Sequence, residues 1–295
     1  MKKVLVTGSN GFLGKSICYI LRSYGIYTLN RSNSFYNIDL SLNVPVFDLC
    51  FDIVVHAAGK AHVIPNSIVE NNSFFDVNIT GTKNLLSGLK NNYALPQAFV
   101  FISSVSVYGK DSGNNIGVDF PLSANEPYGL SKIQAEKLIL NWCNENNVIC
   151  TILRLPLLVG KNAPGNLGAM IKGIKQGYYF NIGGGKAKKS MVLCEDVAQF
   201  IPIVAPIGGI YNLTDGVHPT FAALSTAIAK NKVRNLPLFA AKILGCMGDL
   251  IGNIFPINSL KIKKITSDLT FDDSKARAMG WKPQSVLEYL KLNDL

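Results

Sequence analysis

Tyr128 and Lys132 stand four apart in Tyr128-Gly129-Leu130-Ser131-Lys132, a spacing that puts both on one face of a helix. A phenol titrating near pH 10 is a poor base at neutrality, and a neighbouring ammonium stabilises phenolate and lowers that value. Alone, the pair suits an exposed helix face equally well. Its setting gives it meaning. The apolar run Phe99-Val100-Phe101-Ile102 leads into Ser103-Ser104, with Ser104 lying 24 residues before Tyr128. In an open α/β sheet, ligands bind at the carboxyl ends of the strands. A hydroxyl placed there could hold a reacting oxygen while Tyr128 exchanges its proton and a nicotinamide carries the hydride. Ser104, Tyr128 and Lys132 are therefore the candidate catalytic residues.

Such chemistry needs a dinucleotide, and the N-terminus offers a place for one. Thr7-Gly8-Ser9-Asn10-Gly11-Phe12-Leu13-Gly14 follows the apolar segment Lys3–Thr7 and opens a helical pattern. Gly8 permits a sharp turn, Gly11 lets backbone approach a pyrophosphate, and Gly14 permits close helix–strand packing. The helix start then presents N–H groups to phosphate oxygens. Gly8, Asn10, Gly11, Phe12, Leu13 and Gly14 are the expected contacts. The second strand ends Leu29-Asn30-Arg31-Ser32, with no acid until Asp39. Arg31 could pair with a 2′-phosphate, with Asn30 and Ser32 adding hydrogen bonds, which favours NADP. The other reading leaves Arg31 solvated and the neutral Asn30 binding NAD.

Elements must position these groups. Short apolar strands are expected at Lys3–Thr7, Ile26–Asn30, Ile53–His56, Ala98–Ser103 and Val148–Arg154, with helices over Gly14–Tyr24, Asn72–Asn91 and Glu126–Asn146. Their alternation predicts an α/β, Rossmann-type doubly wound parallel sheet. After Pro156 the pattern becomes irregular, with a tight turn expected at Gly183-Gly184-Gly185. Helix then strand return over Val197–Tyr211, and helices are expected at Pro219–Lys230 and Ser274–Met279. Residues 1–160 read as the dinucleotide-binding domain and 161–295 as a smaller substrate lobe, with part of 190–235 returning to the main domain.

Composition narrows the function classes. The 295 residues are 48% hydrophobic, with a net charge of +10 from 29 Lys and Arg against 19 Asp and Glu. No zinc-finger spacing, aromatic-basic RNA motif or arginine cluster accompanies the charge, so no nucleic-acid partner is expected. Phosphate-bearing ligands account for part of it. Six widely spaced cysteines without a CxxC pair, and only three histidines, suggest neither a metal site nor a disulfide scaffold. Val4-Leu5-Val6-Thr7 already reads as the first strand, so a cytoplasmic location without a signal peptide is expected. Leu236–Ile257 is apolar but interrupted by Pro237, Lys242, Asp249 and Pro256. It reads as packed helices rather than a membrane span, with membrane association the lesser reading, as peripheral contact only.

TGSNGFLG at Thr7–Gly14, HAAGKAH at His56–His62, NITGTKNLL at Asn78–Leu86, SSVSVYG at Ser103–Gly109 and YGLSK at Tyr128–Lys132 together resemble the extended short-chain dehydrogenase/reductase family. The resemblance is to its NAD-dependent epimerase/dehydratase branch, of the bacterial polysaccharide type, and covers nearly the whole chain. It implies cofactor contacts from Asp39 and Leu40 at the adenine, from Ala57, Ala58, Gly59 and Lys60, from Asn78 and Ile102, and from Pro156 and Leu158 along the nicotinamide. It implies a nucleotide-linked, UDP-type sugar held by Ser104, Ser106, Tyr128, Asn166 and Lys189, and a homodimer through the helices at 72–91 and 126–146. Lys189 stands where that group usually has arginine, and the family's other phosphate-binding arginine has no counterpart beside Lys261, Lys263 and Lys264. Both departures count against ordinary UDP-glucose chemistry.

For such relatives, a 4-epimerase oxidises C4 of the sugar and returns the hydride to the other face, with Tyr128 as acid and base. A 4-keto-sugar reductase performs only the second half with NADPH, and the same residues serve both. A 4,6-dehydratase needs an added acidic pair, whereas the Ser104 region continues Val105-Ser106-Val107-Tyr108 without carboxylates. Epimerase and reductase stay open, beside a non-catalytic dinucleotide-binding regulator or scaffold.

Overall fold

The computed structural model describes residues 1–61, 68–251 and 258–293, with backbone alone at 68–70. Two parts of the expectations fall outside them, His62 at the end of HAAGKAH and residues 252–257 at the end of the apolar stretch.

The first strand, β1 (Lys3–Thr7), is buried from Val4 to Thr7 and becomes an interior strand of a parallel sheet. Beside it lie β2 (Gly25–Asn30) and the short β3 (Tyr36–Asn37), and on its other side β4 (Ile53–His56), β5 (Ala98–Ser104), β6 (Ile149–Leu155) and β7 (Gly209–Asn212). The spatial order is β7-β6-β5-β4-β1-β2-β3, all parallel. Chain order therefore reverses between β1 and β4, and the crevice at their carboxyl ends is where such a sheet binds ligands.

Side-chain alternation divides the core into two layers. Val4, Val6, Val55 and Val100 point toward α1 (Phe12–Ile20). Leu5, Val54, Phe99 and Phe101 point to the opposite face. That face is covered by α3 (Gly81–Lys90), which follows α2 (Ile68–Phe75), and by α4 (Pro127–Glu145). The expected helix over Asn72–Asn91 is thus two helices joined by a π-helical turn at Asp76–Thr80. Pro127 opens α4 at a position whose N–H has no helical partner to lose.

A smaller lobe begins where Leu157–Val159 pairs with Met191–Leu193. With α5 (Gly165–Lys175) it builds a core from Val159, Leu167, Ile171, Leu193 and Leu224. Gly183, Gly184 and Gly185 form the expected turn, all at positive φ. The chain then rejoins the main sheet, since α6 (Cys194–Val204) packs on α1 and β7 adds the last strand. The lobe ends in α7 (Phe221–Ala229), α8 (Leu238–Ile251) and α9 (Ser259–Thr266), followed by the short helices Ser274–Ala278 and Val286–Leu292. Among the described residues no helix is long and apolar enough to cross a membrane, and no cluster of His, Cys, Asp or Glu could hold a metal.

One charged pair lies inside the main core. Arg154 of β6 forks onto Glu136 of α4, with Nη2–Oε2 at 2.8 Å and Nε–Oε1 at 3.1 Å. Ser103 donates to the same carboxylate at 2.5 Å, and Arg154 also donates to the Tyr108 hydroxyl at 3.0 Å. Replacing Arg154 by Leu strands the Glu136 charge, and urea unfolding should show a loss of about 3–5 kcal/mol. Adding Glu136→Gln to that variant should recover part of it; a double variant no more stable than the single one contradicts this account.

Candidate active site

Gly8 turns the chain at φ +71°, its N–H donating to the Leu29 carbonyl at 3.1 Å. A Cβ at this position would stand only 2.6–2.8 Å from the backbone of Ala57 and Ala58, and one at Gly14 only 2.1 Å from the Gly8 carbonyl oxygen. Both are closer than any side chain tolerates. Gly11 begins α1 without a side-chain cap and without acids in the first turn, so the helix's leading N–H groups face the crevice. These features fit a dinucleotide pyrophosphate.

At the end of β2, Asn10 donates to the Ser32 carbonyl at 2.8 Å, and Asn30 donates to the Ser9 hydroxyl at 2.5 Å. The loop is thereby tied to the end of β2. Arg31 and Ser32 are exposed there. Asp39 turns one carboxylate oxygen to the Ser41 N–H and hydroxyl, at 2.9 and 2.6 Å. Leu40 is buried next to Gly81.

Beneath the loop runs a line of neutral hydrogen bonds. Thr7 Oγ1 accepts from the Ala58 N–H at 3.1 Å and meets His56 Nδ1 at 2.7 Å. His56 Nε2 meets Thr82 Oγ1 at 2.9 Å, and Thr82 donates to the Asn78 carbonyl at 2.7 Å. Because Thr82 spends its proton on that carbonyl, it must accept from Nε2–H, leaving Nδ1 to accept from Thr7. Burial, with the Lys132 charge adding to it, pushes the imidazole down to about 3. Asn78 continues the line, donating to Ser131 Oγ at 2.9 Å, and Ser131 donates to the Tyr128 carbonyl at 2.8 Å. Asn78 Oδ1 also accepts from the Lys60 N–H at 2.8 Å. The Lys60 ammonium itself turns to the Ser73 hydroxyl and the Phe74 ring.

Tyr128 and Lys132 do share a face of α4, but they are handled differently. Lys132 is buried, donates to the Ile102 carbonyl at 2.9 Å and lies 4.6 Å from the centre of the Phe101 ring. Burial lowers it to about 8, against the raising influence of Glu136. Burial raises the Tyr128 phenol, and a hydrogen bond with Ser104 pulls it back. The expected lowering by the neighbouring ammonium is not what dominates, because the phenol loses more hydration than Ser104 replaces.

Ser104 and Tyr128 meet because Gly129 permits it. A Cβ on Gly129 would lie 2.8 Å from the Ser106 carbonyl oxygen, so the first turn of α4 rests on the 3₁₀ turn Val105–Tyr108. Ser104 caps that turn, accepting from the Ser106 N–H at 3.2 Å, and the Ser106 side chain is exposed beside it. Ser104, Ser106, Gly59, Asn78, Ile102, Tyr128 and Lys132 thus form one cluster, adjoining the glycine loop through Ala57 and Ala58. Pro156 and Leu158 continue from β6 into the lobe. Asn166 stands exposed at the start of α5. Lys189 donates to the Lys264 carbonyl at 3.0 Å, and burial lowers its pKa. Lys264 in turn pairs with Asp111 at 3.0 Å and Glu126 at 3.4 Å, two residues before Tyr128.

The positioning roles of Thr82, Ser131 and Gly129 are not evident from residue type. Each lies inside or beside a motif, but its partner is distant in sequence.

A family model described as "NAD dependent epimerase/dehydratase family" matches residues 4–213. The chain is 26% identical over 304 residues to N-acetyl-alpha-D-glucosaminyl-diphospho-ditrans,octacis-undecaprenol 4-epimerase of Escherichia coli O157:H7, covering 94% of this chain and 89% of that protein. It is 26% identical over 321 residues to UDP-glucose 4-epimerase of Vibrio cholerae, covering 97% and 92%. Among solved structures, a human epimerase family protein with NADPH superposes with a TM-score of 0.78 over 99% of both chains, at 15% identity.

Two measurements check this geometry. Arg31→Ala should weaken NADP binding by about tenfold or more, the scale of one charged hydrogen bond, and leave NAD binding unchanged; equal effects on both would remove Arg31 from the 2′-phosphate. The His56 ring, held near 3 when folded and about 6.5 when unfolded, takes up its proton only on unfolding between those values. Stability should therefore fall with acidification across that window, this residue contributing about 1.4 kcal/mol per pH unit. His56→Gln should flatten the profile by that amount.

Proposed function

The chain belongs to the NAD dependent epimerase/dehydratase family, and on that premise we propose that its enzymatic activity is 4-epimerisation of a nucleotide-linked sugar, with reduction of a 4-keto sugar as the second reading. Its family and relatives make it an NAD(P)-dependent enzyme of the sugar-nucleotide epimerase/reductase type. The observation that carries the 4-epimerase proposal is the Ser104–Tyr128 contact at the carboxyl end of β5, with Lys132 buried behind it.

In this reading Ser104 holds the C4 oxygen and Tyr128 takes its hydroxyl proton, then returns it after the 4-keto sugar has presented its other face. The nicotinamide, when bound, supplies the acceptor and donor of hydride. Gly8, Gly11 and Gly14 hold the pyrophosphate against α1. Lys132, fastened to the Ile102 carbonyl, keeps a positive charge beside the site where phenolate develops. Asn78 and Ser131 fix the first turn of α4 and so aim the phenol. Ser106, Asn166 and Lys189 are the substrate contacts, the sugar carrier is UDP-like, and α2–α4 form the homodimer face.

The reductase reading draws on Arg31, exposed at the end of β2 where a 2′-phosphate would lie. Dinucleotide released from the purified protein by denaturation separates the two. An epimerase should carry retained oxidised cofactor and turn over without added reductant; protein that emerges empty and consumes NADPH stoichiometrically is a reductase. Tyr128→Phe should lower turnover by about 10²–10⁴-fold while dinucleotide binding stays near normal. Full activity in that variant would remove Tyr128 from proton transfer.

A further inference from the structure

Helix α8 is built inside out. Its inward face is Ala241, Gly245 and Gly248, all buried, and a Cβ on Gly245 would come within 2.6 Å of Ile262 on α9. Its large apolar side chains point the other way. Phe239 is 70% exposed and Leu250 89%, with Ile243 and Met247 exposed between them. At spacings of four, four and three residues they make one continuous stripe along three turns. A helix closing on α9 through small residues cannot turn this stripe inward, because that interface has no room for a side chain.

The surroundings are strongly basic. Residues 230–266 hold seven Lys and Arg against Asp249 alone, or six of the chain's ten net positive charges. Lys232 and Arg234 just before α8, Lys242 within it and Lys263 on α9 are exposed, while Asp249 turns to the Ser259 N–H at 3.2 Å. Large apolar residues on one helix face, bordered by lysines and nearly free of acids, are what an anionic bilayer surface binds.

We propose that the α8–α9 face docks on an anionic lipid surface, with the stripe among the headgroups and the surrounding lysines on lipid phosphates. A second copy of the chain fits less well, since an isologous contact would set the basic rim against itself. The surface borders the active site: α9 carries Lys264, which pairs with Glu126 at the start of the Tyr128 helix. Docking on this face thus holds the start of the Tyr128 helix close to the membrane plane. A helix lying in the interface is a different geometry from one that spans the bilayer, and among the described residues no helix is long and apolar enough to span.

The test is sedimentation of the full-length protein with vesicles of phosphatidylcholine alone or mixed with phosphatidylglycerol. The wild type should pellet with the mixed vesicles, less so as salt is raised. Phe239→Ser with Leu250→Ser, and separately Lys242→Glu with Lys263→Glu, should each weaken that binding at least about tenfold. Both variants should keep the wild-type melting temperature and dinucleotide affinity, because every substituted side chain is exposed. A wild type that stays in solution with anionic vesicles overturns the proposal. So does apolar substitution that converts a dimer to a monomer while vesicle binding is unchanged. The 4-epimerase reading stands on other residues and survives either result.

Discussion

Gly8 passes so close to Ala57 and Ala58 that the backbones of β1 and β4 meet with no room for a side chain between them. Gly14 repeats the constraint between α1 and the turn. Neither contact could form with any other residue, and together they set the direction of α1 and the path of the chain leaving β4. That path determines the rest. Gly59 comes to lie beside Lys132 and Asn78, so the crevice suited to a pyrophosphate and the cluster suited to proton transfer are parts of one rigid junction.

Two polar networks hold α4. The neutral one runs from Thr7 through His56, Thr82, Asn78 and Ser131 to the Tyr128 carbonyl, and each member has its hydrogen-bonding capacity used along the way. The charged one joins Ser103, Glu136, Arg154, Tyr108 and Asn212. Buried networks of this kind are costly when incomplete and strongly specifying when complete. Their combined effect is geometric. The phenol of Tyr128 approaches Ser104 through a helix pinned at its first turn and again two turns later.

The smaller lobe is organised on different terms. Its core is apolar and modest, and its basic side chains are engaged with one another's elements, as Lys189 is with the Lys264 carbonyl and Lys264 with Glu126. Apolar bulk that would ordinarily enlarge the core is instead displayed along α8. Burial of large side chains is the main source of folding stability, so this lobe gives up stabilisation that the main sheet takes in full.

The parallel sheet and the glycine loop were legible in the chain because their causes are local. Apolar runs of strand length separated by helical patterns force helices onto both faces, and glycines at fixed offsets permit backbone approaches that no other residue allows. That Ser104 comes together with Tyr128 and Lys132 was legible from their spacing and from Ser104's place at a strand end. Tertiary structure decided what those groups do with their surroundings. Lys132 spends a hydrogen bond on Ile102 rather than on the phenol, and Lys60 turns to Ser73. A π-helical turn breaks the long helix at Asn78, and the apolar stretch near residue 240 faces outward. Each depends on a partner distant in sequence, and burial and hydrogen-bond competition are settled only when those partners meet.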